Sequence, residues 1–487
     1  MTEVLFTHSY FLHFDQKEYR AMMPYAPLGT LYAAAYLRSL GFSVALFDSM
    51  LAESEQEIRR SIKQHSPKVI VIYDDDFNYL TKMCLSRMRE AAFSLSAIAK
   101  ESGATVVVHG SDPADHVEQY IEHGADVIII GEGEQTLGEL LEHVLKSTRD
   151  ISTILGIAYK RNGAILRTPT REVLDEPDAL PFPSRDLSDV ETYRKIWRKR
   201  HGYFSMNMVT TRGCPFHCNW CAKPIYGQVY HSRSPENVVE EMLMLKKEYS
   251  PDHLWFCDDI FGLKPGWVQR FADTVVQRNA QIPFKCLSRA DLLLKEETIS
   301  HLARSGCQTV WIGAESGSQK ILDAMEKGTT VEQIYESTKL LHQHGIRVGF
   351  FLQFGYPGET RTEIELTLQM VKECKPDEIG ISVSYPLPGT KFHANVKEQL
   401  GLKQNWVDSQ DLDTMYRTTY TTDFYRALHT ITHKRFRIWQ GKDIVKNCLR
   451  HPSAFDKHSA RRIAALVYHL ATLQSAEAKL KKLENHA

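Results

Sequence analysis

Six short apolar strands alternate with helices between residues 203 and 383, and this alternation settles the fold class before any motif is read. The spacing predicts strands over 206–211, 253–257, 284–288, 309–312, 347–354 and 378–383. Helices are predicted over 235–248, 267–278, 296–305, 331–344 and 362–373. A helix between consecutive strands carries the chain back across the sheet, so the strands pair in parallel. Six units suit a partial (β/α)6 barrel. In barrels chemistry gathers at the C-terminal ends of the strands, and the chemically suggestive residues fall at those ends here.

Residues 1–150 alternate in the same way but read as a separate α/β unit. Strands are expected over 4–6, 43–47, 69–73, 105–108 and 127–130, with helices over 28–40 and 135–146, which makes a Rossmann-like parallel sheet. No G-x-G-x-x-G fingerprint occurs. The Gly131-Glu-Gly-Glu turn sets two carboxylates where a pyrophosphate would sit, which excludes phosphate binding there. Asp74-Asp75-Asp76 ends the third strand. Consecutive side chains alternate between faces, so the three do not converge on one cation, and an acidic strand end turned to solvent or to a domain interface is expected. A hairpin follows over 151–168, then Glu176-Pro-Asp-Ala-Leu-Pro-Phe-Pro, whose three prolines make a stiff extended linker. The expected units are therefore 1–150, a hairpin and linker over 151–200, the barrel over 201–395, and a helical region over 396–487.

With 487 residues, 43% hydrophobic and 24% charged, the chain can build two or three packed domains. A formal net charge of -1 gives no whole-chain case for nucleic-acid binding. The first residues lack the basic and apolar regions of a signal peptide, and no apolar run is long enough for a membrane span. Of nine cysteines, Cys84, Cys257, Cys286, Cys307, Cys374 and Cys448 are scattered, as buried thiols are in a reducing compartment. A cytoplasmic location is expected.

The other three are not scattered. Cys214, Cys218 and Cys221 stand at C-x3-C-x2-C spacing just after the first barrel strand. A loop of that length can fold back so that three thiolates meet one face of an iron–sulfur cube. A 4Fe–4S cluster normally takes four cysteines, so three leave one iron open to a small molecule. The competing reading is a zinc knot completed by His217 or His231.

This arrangement resembles the radical S-adenosylmethionine (radical SAM) superfamily, and the resemblance extends over roughly residues 200–390. It implies that the open iron binds the amino and carboxylate groups of S-adenosylmethionine, and that one electron splits the sulfonium to a 5'-deoxyadenosyl radical. It also implies roles for further residues. Trp220 would lie beside the adenine. Gly313, Glu315 and Ser316, in Gly-Ala-Glu-Ser-Gly, would contact the ribose and amino-acid part. Gly355, in Phe-Gly-Tyr-Pro-Gly, would run alongside the adenine, Arg289 would pair with the methionine carboxylate, and Asp258 would stand at the same mouth. Ser384-Tyr-Pro-Leu-Pro-Gly-Thr and Met325-Glu-Lys-Gly-Thr-Thr are similar to the subfamily named after the anaerobic magnesium-protoporphyrin monomethyl ester cyclase. That subfamily spans methylations, oxidative ring closures and rearrangements.

Two N-terminal phrases, Ala26-Pro-Leu-Gly-Thr-Leu and Gly124-Ala-Asp-Val-Ile-Ile-Ile-Gly-Glu-Gly-Glu, resemble the cobalamin-binding domain that precedes many radical SAM cores. The resemblance implies a corrin over the carboxyl ends of the strands, near Leu28, Gly29, His109, Gly110, Gly131, Glu132 and Gly133. The D-x-H-x-x-G motif that supplies a cobalt-ligating histidine is absent, so the nucleotide tail is expected to extend into the sheet. The usual Gly-Gly loop reads His109-Gly110-Ser111-Asp112 here. A domain that kept the fold and lost the corrin is the alternative.

The resemblance implies an enzyme for cobalamin-dependent methylation, or oxidative cyclisation or rearrangement, at an unactivated carbon of a small-molecule intermediate. A low-potential flavodoxin or ferredoxin would supply electrons. A non-catalytic zinc or cobalamin module is the alternative from another class. Transfer-RNA methylthiolation would want an N-terminal cysteine cluster and a basic nucleic-acid module, and neither is found. Residues 401–487 match no motif. Between residues 434 and 482, twelve Lys or Arg stand against three Asp or Glu, and Ile463, Leu466, Val467, Leu470 and Leu473 recur at helical spacing. A helical cap with a solvated basic face is expected, or else docking to an acidic substrate, an acidic electron donor or an anionic lipid surface.

Overall fold

The computed structural model describes residues 2–147, 150–451 and 455–484. Its N-terminal sheet comprises β1 (Val4–Thr7), β2 (Val44–Leu46), β3 (Val69–Tyr73), β4 (Thr105–His109), β5 (Val127–Ile129), β6 (Ile157–Arg161) and β7 (Ala164–Arg167), in the order β2-β1-β3-β4-β5-β6-β7. The first five are parallel. Every residue of β3 is fully buried, as a central parallel strand covered on both faces requires.

The hairpin expected to begin the linker instead extends this sheet. Ile129 pairs with Ile157, and the buried side chains of Ile154, Ile157 and Tyr159 join the core beneath. The N-terminal unit therefore runs to Arg167. Nor is the linker extended throughout. Val190–His201 is a helix, capped by the Asp189 carboxylate and ended by Gly202 in the left-handed region. Its buried Trp197 donates to the Pro24 carbonyl at 2.7 Å, which ties the linker back to the first unit.

The barrel strands are β8 (Ser205–Met208), β11 (His253–Phe256), β12 (Phe284–Ser288), β13 (Cys307–Glu315), β14 (Arg347–Phe354) and β15 (Glu378–Val383), all parallel, in the order β15-β14-β13-β12-β11-β8. The first predicted strand divides in two. Ser205–Met208 stays in the sheet, while β9 (Thr211–Arg212) leaves it to pair antiparallel with β10 (His231–Ser232) at the root of the cysteine loop. One face of each strand packs on the outer helices: Val310 and Ile312 of β13 and Val348 and Phe350 of β14 are completely buried there.

Beyond the barrel, helices Thr422–Arg450 and Lys457–Glu484 form an antiparallel pair. Phe424, Leu428, Ile431 and Phe436 join the barrel core. Of the apolar positions expected on the last helix, Leu466 is buried against Gly441, whereas Val467 and Leu470 remain 63% and 47% exposed. Part of the basic excess is neutralised within the protein, since Arg435 pairs with Glu365 and Glu477. No described helix is long and apolar enough to cross a membrane.

One buried charge cluster joins the two α/β units. Arg212, on β9, donates to Glu132 and to Glu134, the latter at 2.6 Å, with Leu28, Tyr32, Phe77, Val209, Ile225 and Tyr226 packed around. Removing the arginine would leave two buried carboxylates facing one another, and breaking a buried pair costs about 3–5 kcal/mol. Arg212→Met is expected to lower the urea midpoint accordingly. A midpoint equal to that of the wild type would show that the cluster adds no net stability.

Candidate active site

The cysteine loop is held from below. Gly213 turns at φ +79°, where a Cβ would fall 2.3 Å from the Val229 carbonyl oxygen, so only glycine lets the chain leave β9 and return along β10. Buried Asp258 accepts from the amides of Thr210 and Thr211 at 2.6 Å each and from both hydroxyls at 3.1 and 2.8 Å. Burial raises its carboxyl to about 6 against those bonds. The residue expected at the cofactor mouth thus braces the entry to the loop. Asn219, not singled out in the sequence, pins the far side. Its backbone N–H donates to the Met325 carbonyl at 3.0 Å and its side-chain amide to Ala324 at 2.8 Å, and it accepts from Tyr356 at 2.8 Å.

Cys214 is buried, Cys218 and Cys221 are half-buried, and the three lie close enough to influence one another's protonation. Burial, with Asp259 and Cys218 adding to it, pushes the Cys221 thiol up to about 12. Cations ring the loop. The Arg289 guanidinium lies 3.9 Å from Cys218 Sγ and 3.7 Å over the Phe216 ring, braced by Asp291 at 2.9 Å. Lys327 acts on Cys218, Lys223 on Cys214 and Cys221, and Lys82 reaches in from the N-terminal unit to bond Asp259 at 2.6 Å. Such a ring suits an anionic thiolate cluster. His217 bonds the Pro215 carbonyl and His231 lies 3.6 Å from Asp175. Among the described residues no three His, Cys, Asp or Glu side chains are placed to hold a single metal ion. Thiols spread around a cube have no need to converge in that way.

Above the loop, β13 ends at Glu315 with φ +56°, a left-handed conformation that is strained for a residue with a Cβ. Its carboxylate accepts from Lys327 at 2.8 Å. Gly313 leaves room for that pair: a Cβ there would fall 2.6 Å from Lys327 Nζ and 2.7 Å from Glu315 Oε1. Lys327 also lies 5.8 Å from the Trp220 ring, whose buried Nε1 has no hydrogen-bond partner among the described residues. Its only sequence signal was its place in Met325-Glu-Lys-Gly. Ser316 is fully buried, and its hydroxyl lies 3.2 Å from that of Thr367 and accepts from the Ser318 amide. It anchors the helix Arg361–Cys374. Gly355 donates to Glu359 at 2.6 Å and accepts from the Tyr416 hydroxyl, and burial pushes Glu359 up to about 8. The structure thus gathers Trp220, Arg289, Gly313 and Glu315 around the thiols, and sets Asp258 and Ser316 in the layer behind.

The N-terminal strand ends face this mouth, with Phe77 stacked on Tyr226 at 5.8 Å. The three aspartates expected at a solvated or interfacial strand end are all buried, and Asp76 does face the interface, where it accepts from the Tyr226 hydroxyl of the barrel unit at 3.4 Å. Asp74 accepts from the Ser9 amide, and Asp75 caps the helix Leu28–Ser39 by accepting from the amides of Leu28 and Gly29. Burial and Glu134 hold Asp76 well above its usual range. Glu132 is committed to Arg212 and to the Leu174 amide. At the ends of β1, β3 and β4, Thr7 Oγ1, Tyr73 Oη and His109 Nδ1 are buried without hydrogen-bond partners among the described residues, His109 Nδ1 lying 3.8 Å from Asp76, and a group lying across the strand ends could engage them. The layer beneath is filled. Tyr73 and His109 stack at 3.9 Å, and a Cβ on Gly133 would fall 2.6 Å from Tyr73 Oη. Burial pulls His109 down to about 4, so the neutral ring donates from Nε2 to the Gly131 carbonyl at 2.9 Å. A nucleotide tail extending into the sheet at this point would have to displace the stack.

A family profile described as the Radical SAM superfamily matches residues 208–371, and one described as the B12 binding domain matches residues 21–141. Residues 208–371 belong to the radical SAM superfamily. The N-terminal unit is a B12-binding-type domain, and the partial barrel is the radical SAM enzymatic core. An uncharacterized methyltransferase of Pyrococcus horikoshii is 28% identical over 451 residues, covering 91% of this chain and 94% of the relative. The anaerobic magnesium-protoporphyrin IX monomethyl ester cyclase of Rubrivivax gelatinosus is 26% identical over 401 residues, covering 79% and 68%. The cobalamin-dependent S-adenosylmethionine radical enzyme OxsB, solved with aqua-cobalamin bound, shares the fold at TM-score 0.73 and 19% identity over 99% of this chain and 72% of its own.

Loop closure at Gly213 gives a direct test. Gly213→Ala is expected to lose most of its iron on anaerobic reconstitution. Gly227→Ala, at a turn of φ +67° with open space around it, is expected to keep its iron. Iron and sulfide assays per chain would read both, and equal contents would refute the argument.

Proposed function

We propose that this radical SAM enzyme holds a 4Fe–4S cluster on Cys214, Cys218 and Cys221 and directs radical chemistry to an unactivated carbon of a small molecule, with methylation as the outcome and oxidative cyclisation or rearrangement as the second reading. The observation that carries the proposal is three thiols on one short loop at the carboxyl ends of parallel strands, ringed by Arg289, Lys327, Lys223 and Lys82. When bound, the cluster supplies the single electron that splits S-adenosylmethionine. The chain's own residues bind and orient. Arg289 offers its guanidinium to the methionine carboxylate. Glu315, fixed by Lys327, accepts from ribose hydroxyls, Gly313 and Gly355 let the backbone come close, and Trp220 has an indole N–H to donate.

Cobalamin, when bound, supplies a methyl carrier. Thr7, His109, Gly110 and Gly131, at the strand ends, are the residues proposed to hold it. The names of the relatives, a methyltransferase covered over 94% of its length and a cyclase over 68%, support methylation first. A low-potential flavodoxin or ferredoxin is the proposed electron donor, its acidic surface suited to the basic face of the last two helices. An oxygen-sensitive cluster and scattered reduced thiols support a cytoplasmic setting.

Cys214→Ala, Cys218→Ala and Cys221→Ala are each expected to abolish reductive formation of 5'-deoxyadenosine, and undiminished formation in any one would sink the cluster assignment. Glu315→Ala and Arg289→Ala are expected to keep the iron while weakening S-adenosylmethionine binding by roughly tenfold to a hundredfold, the loss of one charge-assisted hydrogen bond. Unchanged affinity in both would return them to structural roles.

Reconstitution with cobalamin followed by desalting tests the N-terminal unit. Retained cofactor is expected, with no histidine nitrogen splitting in the spin-resonance spectrum of the Co(II) state, because no D-x-H-x-x-G motif supplies a ligating histidine. Histidine splitting would refute the ligation, and loss of the cofactor on desalting would leave the domain a scaffold.

A further inference from the structure

A closed barrel fills its interior with packed side chains, and this barrel does not. On the helix side of the sheet Val310, Ile312, Val348 and Phe350 are sealed. On the lumen side several of the alternate residues are open: Trp255, Lys285, Leu287 and Trp311 are half-buried and Phe351 is 40% exposed, while Thr309 and Gln353 are buried. β13 and β14 are interior strands of the sheet, so this exposure is a chamber and not a frayed edge.

Its wall is flat and aromatic. Trp311 and Phe351 stack with centroids 4.7 Å apart and 29° between their planes. Gly349 lets the indole lie down, since a Cβ there would fall 2.3 Å from it, and Gly380 gives the Phe351 ring similar room at 3.3 Å. Glycine inside a strand weakens it and often marks close approach of another group. Here two such positions are given over to keeping rings parallel to the sheet, where each can present a face to a ligand.

The chamber holds a cation without an ion-pair partner among the described residues. Lys285 Nζ lies 4.7 Å from the Trp255 ring centroid and 5.7 Å from that of Tyr25, and it makes no hydrogen bond or ion pair among the described residues. Glu18 and Glu378 act on it only at a distance, Arg347 opposes them, and Glu18 is paired with Lys17 at 3.6 Å. Burial pulls Lys285 down to about 8. An ammonium in such a place is costly until an anion joins it. Lys285 also stands four residues before Arg289, which directly follows β12, about 13 Å away at the rise of a parallel strand.

We propose that the substrate is a flat, largely apolar molecule with one anionic group, its ring system lying on Phe351 and Trp311 and its anion paired with Lys285. A molecule spanning that distance would bring its far end to the barrel mouth. The assignment rests on the radical SAM reading above, which places the chemistry at that mouth.

Equilibrium dialysis of the cluster-loaded protein tests it with 8-anilinonaphthalene-1-sulfonate, a two-ring aromatic carrying one anion, and with N-phenyl-1-naphthylamine, the same skeleton without the sulfonate. One equivalent of the sulfonate is expected to bind. Lys285→Met should weaken it about tenfold, the loss of one charge-assisted contact, without moving the neutral compound, and Lys285→Arg should restore it. Phe351→Ala should weaken both. Sulfonate binding unmoved by Lys285→Met, or lost in parallel with the neutral compound, overturns the assignment. Formation of 5'-deoxyadenosine by the wild-type protein is measured alongside. Its absence would fail the radical reading alone, whereas its presence with unmoved binding would fail the chamber alone.

Discussion

Arg212 stands two residues before the first cysteine, and its guanidinium is buried in the other unit between Glu132 and Glu134. Taking that charge out of water is tolerable only where both carboxylates meet it in good geometry. Docking of the two units is therefore a condition for β9 to lie where it does. β9 pairs with β10, and the strip they form is the root of the cysteine loop. The position of the three thiols thus depends on a contact made outside the barrel that carries them.

Around that root the site divides into residues that are already satisfied and residues that are not. Asp258, Asn219 and Ser316 are saturated by protein partners and hold loops and helices in place. Trp220 Nε1 has no hydrogen-bond partner among the described residues, Glu315 is held in a strained backbone conformation, and Arg289 lies against a thiol rather than a carboxylate alone. A functional constellation held by a rigid supporting layer would show this division. The satisfied residues locate the site without taking part in its chemistry.

Much of this was legible in the chain because local and tertiary preferences agree. β3 appears residue for residue as predicted, since an unbroken Val/Ile run has no other place than a central strand. The later barrel strands follow because each is a short apolar run bounded by helices, whereas the first divides where β9 leaves the sheet. The helix Val190–His201 was hidden by the prolines just before it, which mark a stiff stretch but do not say where it ends. The hairpin gave no sign that it would join a sheet, because an edge position depends on what β5 leaves unpaired. Asp258 and Lys327 show the limit for site residues. Each lies in a suggestive run, but only the fold shows that the first turns inward to Thr210 and Thr211 and the second meets Glu315.

Gly349 and Gly380 have a consequence for how such a scaffold can diversify. A single base change turns glycine into alanine, and at Gly349 the added methyl would lift the indole off the sheet. Neither position touches the cysteine loop, Arg289 or Glu315. The shape of the lumen can therefore drift by one carbon at a time while the radical-generating apparatus stays as it is. In evolutionary terms, what the scaffold accepts and what it does are written in different residues.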